Sequence, residues 1–78
     1  MTFVRDQVLE CVSPTPGLIG GALYVCNGME RVGVGGLRWE WVVVQEAHTG
    51  RPAGSYWPFR FKPTGYALVP GTRFVQPS

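Results

Sequence analysis

The sequence predicts an all-β domain, a small barrel of five short strands, and three observations carry that expectation. Eleven glycines and seven prolines interrupt the 78 residues so often that no long helix fits between them. The apolar fraction is 45%, with 13% aromatic and 15% charged residues, a balance that supports a packed core and excludes disorder. The third observation is Arg38–Glu46, RWEWVVVQE, the longest run of strand formers without Gly or Pro. Tryptophan alternates with charge at its start and valines fill both faces in its middle, as in a central strand with one face in a core and the other partly covered. A single domain of this length supports about 3–5 kcal/mol of net stability.

In chain order, Gln7–Val12 alternates Val8, Glu10, Val12 against Leu9, Cys11 and reads as the first strand. Ser13-Pro14-Thr15-Pro16-Gly17 cannot pair regularly, because its prolines remove donors and fix φ. Leu18 and Ile19 are apolar and are expected to fold this loop over the barrel, with a bend at Gly20-Gly21. Ala22–Asn27 is the second strand, with Leu23 and Val25 on one side and Tyr24 and Cys26 on the other. Asn27-Gly28 carries the signal of a tight hairpin turn. Met29–Gly36 reads as a mobile or bulged connection, with room for a short strand at Arg31–Val34.

After the central strand, Ala47–Gly54 is a polar loop with good turn chemistry. Tyr56–Phe61, YWPFRF, is aromatic at four of six positions, and Pro58 makes it an edge strand or a short 3₁₀ turn. Pro63-Thr64-Gly65 reads as a turn, Tyr66–Val69 as a closing strand, and Thr72–Ser78 as a tail. Five short strands with one long early loop is the layout of an SH3-like barrel. An OB-type barrel would need longer, curved strands. The domain spans 1–78, with a core at about 7–69 and a tail at 70–78.

The bulk properties exclude several functions. No apolar run approaches the roughly 20 residues of a membrane helix, and MTFVRDQ lacks the basic-then-apolar order of a signal peptide. An intracellular protein is expected, with Cys11 and Cys26 as buried thiols rather than a disulfide. Two cysteines and a distant His48 do not make a zinc site, and no cofactor is expected. Gly33-Val34-Gly35-Gly36 precedes a strand and lacks the Lys-Ser/Thr ending of a phosphate loop. His48 has no nucleophile elbow or positioned acid beside it in sequence, so the expectation is not an enzyme. Side-chain charge sums to −2 over the first 46 residues and +4 over the rest, where no acid occurs, which hints at a basic patch.

A larger set of residues carries a family resemblance. Leu9-x-Cys11, Pro16-Gly17-Leu18, Gly21-x-x-Tyr24-Val25, a hydrophobic strand ending in an acid, and Arg60-Phe61 resemble small phage and prophage proteins with SH3-like folds. The likeness runs from Gln7 to Lys62. It departs at Ala47–Gly54, a turn usually rich in Asp and Gly, and at Thr64–Ser78, which extends past the Arg-Phe box. The resemblance implies the fold and a phage-borne accessory protein in the host cytoplasm. Such a protein acts by occluding a host protein or an antiviral-defence complex, as anti-CRISPR proteins do.

The candidate binding surface is Ser55–Lys62, with its preceding loop. Trp57 and Tyr56 would meet a partner side chain or a base, with Arg60, Lys62, Arg51 and His48 supplying polar contacts. Trp57, beside Pro58 at an edge, is expected to be exposed. Phe59 and Phe61 are expected in the core, as are Trp39 and Trp41, which share a face of the central strand. Were Trp39 to lie near that strand's exposed start, it would be a second anchor of the surface. The leading expectation is a non-enzymatic protein-binding module. Aromatics interleaved with arginines leave single-stranded nucleic acid as the alternative partner, and exposed edge tryptophans leave a homo-oligomer open.

Overall fold

A computed structural model describes residues 3–68. Among these, five antiparallel strands form one sheet in the order β4-β3-β2-β1-β5. The strands are β1 Gln7–Cys11, β2 Leu23–Val34, β3 Leu37–Glu46, β4 Pro52–Tyr56 and β5 Phe61–Ala67, with a 3₁₀ turn at Pro58–Arg60. The fold is all-β and SH3-like, as expected; the tail from residue 69 onward lies outside the described residues. No helix among the described residues is long and apolar enough to cross a membrane.

The barrel interior follows from strand alternation. Leu9 and Cys11 of β1, Tyr24 and Cys26 of β2, Val42 and Val44 of β3, and Phe61 of β5 are buried together. Phe3 and Leu18 close the cluster from outside the sheet. The early loop does fold over the barrel through Leu18, whereas Ile19 is exposed. Two tyrosines hold that loop. The hydroxyl of Tyr24 accepts the Ile19 N–H at 2.9 Å, and the hydroxyl of Tyr56, which donates to the Ala53 carbonyl at 2.6 Å, lies under Gly17. A Cβ at Gly17, where φ is +97°, would sit 2.6 Å from that hydroxyl. Gly17→Ala is therefore expected to cost about 2 kcal/mol, combining a left-handed backbone with overpacking; the shift of the urea midpoint measures it.

Several expected boundaries move, each for a local reason. Asn27-Gly28 is not a hairpin turn. Cys26 pairs with Val44 and Met29 with Val42, so one extra residue is accommodated as a bulge, with Gly28 at φ 114°. The Gly28 N–H donates to the Cys26 sulfur at 3.4 Å. The phase shift returns Met29 to the core side, and Met29–Val34 continues β2 instead of forming a loose connection. The reversal occurs at Gly35-Gly36, whose φ values of 56° and 86° fit a primed two-residue turn. At the other end of β3, the polar loop is shorter than expected, since Pro52–Gly54 already belongs to β4.

Pro63-Thr64-Gly65 is likewise not a turn. It lies within β5, an edge strand where the missing proline N–H is tolerated. The register slips there, with Leu9 opposite Pro63 but Gln7 opposite Ala67. The Thr64 hydroxyl stabilises the slip by donating to the Val8 carbonyl at 2.9 Å. Residues 64–67 are thus part of the barrel rather than an extension beyond it, and Val69 of the expected closing strand lies outside the described residues.

Cys11 and Cys26 are free and buried. Burial pushes the Cys26 thiol up from its ordinary value of 9.0, against the Gly28 hydrogen bond and the Arg5 charge, which pull it down. The folded state therefore keeps this proton while the unfolded chain releases it. Stability contributed by the neutral thiol is present below pH 9.0 and falls as pH rises through and above that value. Alkylation of Cys26 at neutral pH is expected to proceed only through opening of the fold, which mass spectrometry of labelling with and without urea will read.

Candidate binding face

Because Val42 and Val44 face the core, alternation sends Trp39, Trp41 and Val43 to the other side of β3. The expectation that both tryptophans fill the core is thus corrected: both are half-buried on the outer face. Three consecutive valines leave the phase of the strand open in sequence. The interior instead takes valines, packed with Tyr24 and Phe61.

Past the bulge, β2 and β3 run on as a two-stranded arm. β1 reaches β2 only at Leu23–Val25, and β4 meets β3 only from Val42 onward. Across this arm Val34 opposes Leu37, Val32 opposes Trp39 and Glu30 opposes Trp41. One face of the arm is therefore an apolar row, with Val34 65% and Leu37 71% exposed at its tip. The Trp39 Nε1–H is buried without a hydrogen-bond partner.

The row continues onto the 3₁₀ turn. Trp41 packs on Trp57 with ring centroids 4.3 Å apart. Trp57 stacks on Phe59 at 6.4 Å and an interplanar angle of 20°, and the Arg60 guanidinium caps Phe59 at 5.2 Å. Phe59, expected in the core, is 61% exposed, whereas Phe61 is buried as expected. The turn explains the split. Pro58 occupies its first position, so the two-residue strand period does not relate Phe59 to Phe61.

Backbone contacts make this platform rigid. The Arg60 N–H donates to the Trp57 carbonyl at 3.1 Å, and the Arg60 carbonyl accepts from Val12 at 2.8 Å and Ser13 at 3.2 Å. The Arg60 side chain donates to the Ser13 carbonyl at 3.2 Å, which holds its charge over Phe59. Trp57, 39% exposed, and Phe59 thus present ring surface from a position tied to β1.

The other sequence-predicted residues lie apart from this cluster. Tyr56 opposes Val42 on the core side and packs edge-on against Phe61 at 6.3 Å, so it supports the platform from beneath. Lys62 pairs with Glu10 across β1 and β5, at 3.7 Å. Exposed His48 and Arg51 sit in the β3–β4 turn, beyond Glu46 and so about 17 Å along β3 from Trp41. The structure brings Trp57 and Arg60 together and adds Trp41 and Phe59, both expected in the core from the sequence. The signal that could have found them is Pro58: by forcing a turn after Trp57, it breaks the alternation that placed Phe59 inside. Comparison with protein-family models, curated proteins and solved structures finds no match.

Proposed function

We propose that this protein is a non-enzymatic binding module that grips a protein partner with its outer aromatic face. The observation that carries this reading is the Trp41–Trp57–Phe59–Arg60 ladder, with Trp57 and Phe59 exposed and braced on a 3₁₀ turn. Tryptophan, tyrosine and arginine dominate the energetic centres of protein interfaces. A braced platform also loses little conformational entropy on binding. Its chemistry suits an apolar or aromatic partner side chain beside Trp57 and Phe59, with a carboxylate or carbonyl reaching Arg60. The resemblance to phage-borne SH3-like proteins makes that partner a host protein or an antiviral-defence complex in the cytoplasm of the host cell.

Quantitative affinity capture from host lysate, wild type beside Trp57→Ala, tests this reading. A stoichiometric protein enriched by the wild type and lost with the variant supports it; identical profiles count against it. The ring pair with an adjacent cation also resembles a base-stacking platform. That second reading predicts binding of a short single strand that weakens steeply as salt rises. The engagement of Lys62 with Glu10 and of Arg60 with Ser13 leaves few cations converging on the rings, which favours a protein partner.

A further inference from the structure

The arm carries a second, separate surface: the edge of β3 that faces away from β2. β4 joins β3 from Val42 onward and Trp57 packs beside Trp41, so among the described residues no strand covers that edge along Leu37–Glu40. The turn determines what the edge presents. With Gly35-Gly36 as a primed two-residue loop, Val34 and Leu37 form a hydrogen-bonded pair. Alternation makes Val32–Trp39 and Glu30–Trp41 bonded pairs as well, in the register the strands show. Arg38 and Glu40 then direct their N–H and C=O groups outward, away from β2. A row of outward backbone donors and acceptors is a template for another strand.

The side chains specify which strand. Read antiparallel about Trp39, the segment Arg38-Trp39-Glu40 is complementary to itself: each Arg38 meets a Glu40. The corresponding stretch on the β2 edge, Arg31-Val32-Gly33, has no such complement. A groove of about 350 Å³ lies along this arm, lined by Arg31, Val32, Gly33, Arg38, Trp39 and Glu40. We propose that the protein forms a two-fold symmetric dimer by pairing Arg38–Glu40 of one copy with the same segment of a second.

In this dimer Arg38 and Glu40 exchange backbone hydrogen bonds with the partner's Glu40 and the partner's Arg38. On the face opposite Trp39 the two side-chain charges meet as cross-strand ion pairs. Glu40 already faces Arg31 at 3.9 Å and would then lie between two cations. On the outer side, Trp39 sits beside the partner's Trp39 at a non-hydrogen-bonded pair, where side chains approach most closely. The two apolar rows merge into one four-stranded face, and the two aromatic platforms sit on one rigid body. The two-stranded arm, marginal alone, gains the neighbours that a stable sheet needs.

Sedimentation across micromolar to millimolar concentration, on the full chain, tests the proposal. The wild type is expected to associate to a dimer. Arg38→Glu and Glu40→Arg are each expected to weaken association by about tenfold or more, because each sets like charges opposite one another twice. An equimolar mixture of the two variants is expected to recover a heterodimer, since the acids of one chain meet the arginines of the other. The double variant recovers the homodimer by the same pairing. Far-UV circular dichroism verifies that each chain is folded, and recovery in the mixture requires it. A wild type that stays monomeric, single reversals that leave association unchanged, or a mixture that fails to pair would overturn the proposal. So would a dimer lost in Trp57→Ala but kept in the charge-reversed chains, which would place the contact on the aromatic platform.

Discussion

Phe61→Ala is expected to abolish the folded state in water at room temperature. Phe61 is buried where β1 meets β5, opposite Cys11, and its ring packs edge-on against Tyr24 at 5.8 Å and Tyr56 at 6.3 Å. Truncating a core phenylalanine costs about 3–5 kcal/mol in lost transfer energy and cavity. A domain of this size has about the same amount to lose. The loss would also free Tyr56, whose hydroxyl lies under Gly17, and with it the loop that brings Leu18 onto the core. Phe61→Leu retains most of the volume and is expected to cost less than about 1.5 kcal/mol. Urea unfolding followed by circular dichroism distinguishes the two: a lowered but cooperative transition for leucine, and none for alanine. A wild-type midpoint for the alanine variant would mean that β5 does not anchor the core.

Trp57→Ala is expected to do the reverse, preserving the fold and removing the partner. Trp57 follows β4 and is 39% exposed, so folding loses only the part of its area packed on Trp41 and Phe59. Binding loses a central ring of the ladder. Truncation of a hot-spot tryptophan costs about 2 kcal/mol or more, roughly 30-fold in Kd. The contrast with Phe61 is informative because the residues are four apart in one aromatic segment. Isothermal titration against the captured partner, with urea unfolding of the same preparations, separates the effects. Phe61→Leu should lower the unfolding midpoint and leave affinity near wild type.

Much of the fold could be read from the chain, and what could not concerns the phase and the continuity of its strands. Strand-forming runs at Gln7–Val12, Ala22–Asn27 and Arg38–Glu46 are visible because Gly and Pro bound them, and each corresponds to a strand. Phase and continuity were harder to read. Val42-Val43-Val44 is equally apolar on both faces, so only the ladder with Cys26 and the position of Phe61 reveal that Trp39 and Trp41 lie outside. Asn27-Gly28 and Gly35-Gly36 are both competent turns. The first is a bulge because continuing the strand sets Met29–Val34 against Leu37–Val42, which restores Met29 to the core. Pro63-Thr64-Gly65 carries turn residues, yet an edge strand accepts them once Thr64 bonds to Val8. Of the candidate site, the aromatic-basic segment was apparent from composition, while its second half, Trp41, was hidden by the phase error. The open edge of β3 is a property of where β4 stops, which no local pattern encodes.

The central claim is that the outer aromatic face, and not the β3–β4 turn or the β1–β5 side, contacts the partner. The most direct measurement is a titration of the captured partner into ¹⁵N-labelled protein, following amide and tryptophan indole N–H signals. The Trp57 and Trp41 indoles and the amides of Phe59, Arg60 and Ser13 are expected to shift or broaden first, at stoichiometric partner. Perturbations confined to His48 and Arg51, or to Lys62 and Tyr66, with all indole signals unmoved, would contradict the account.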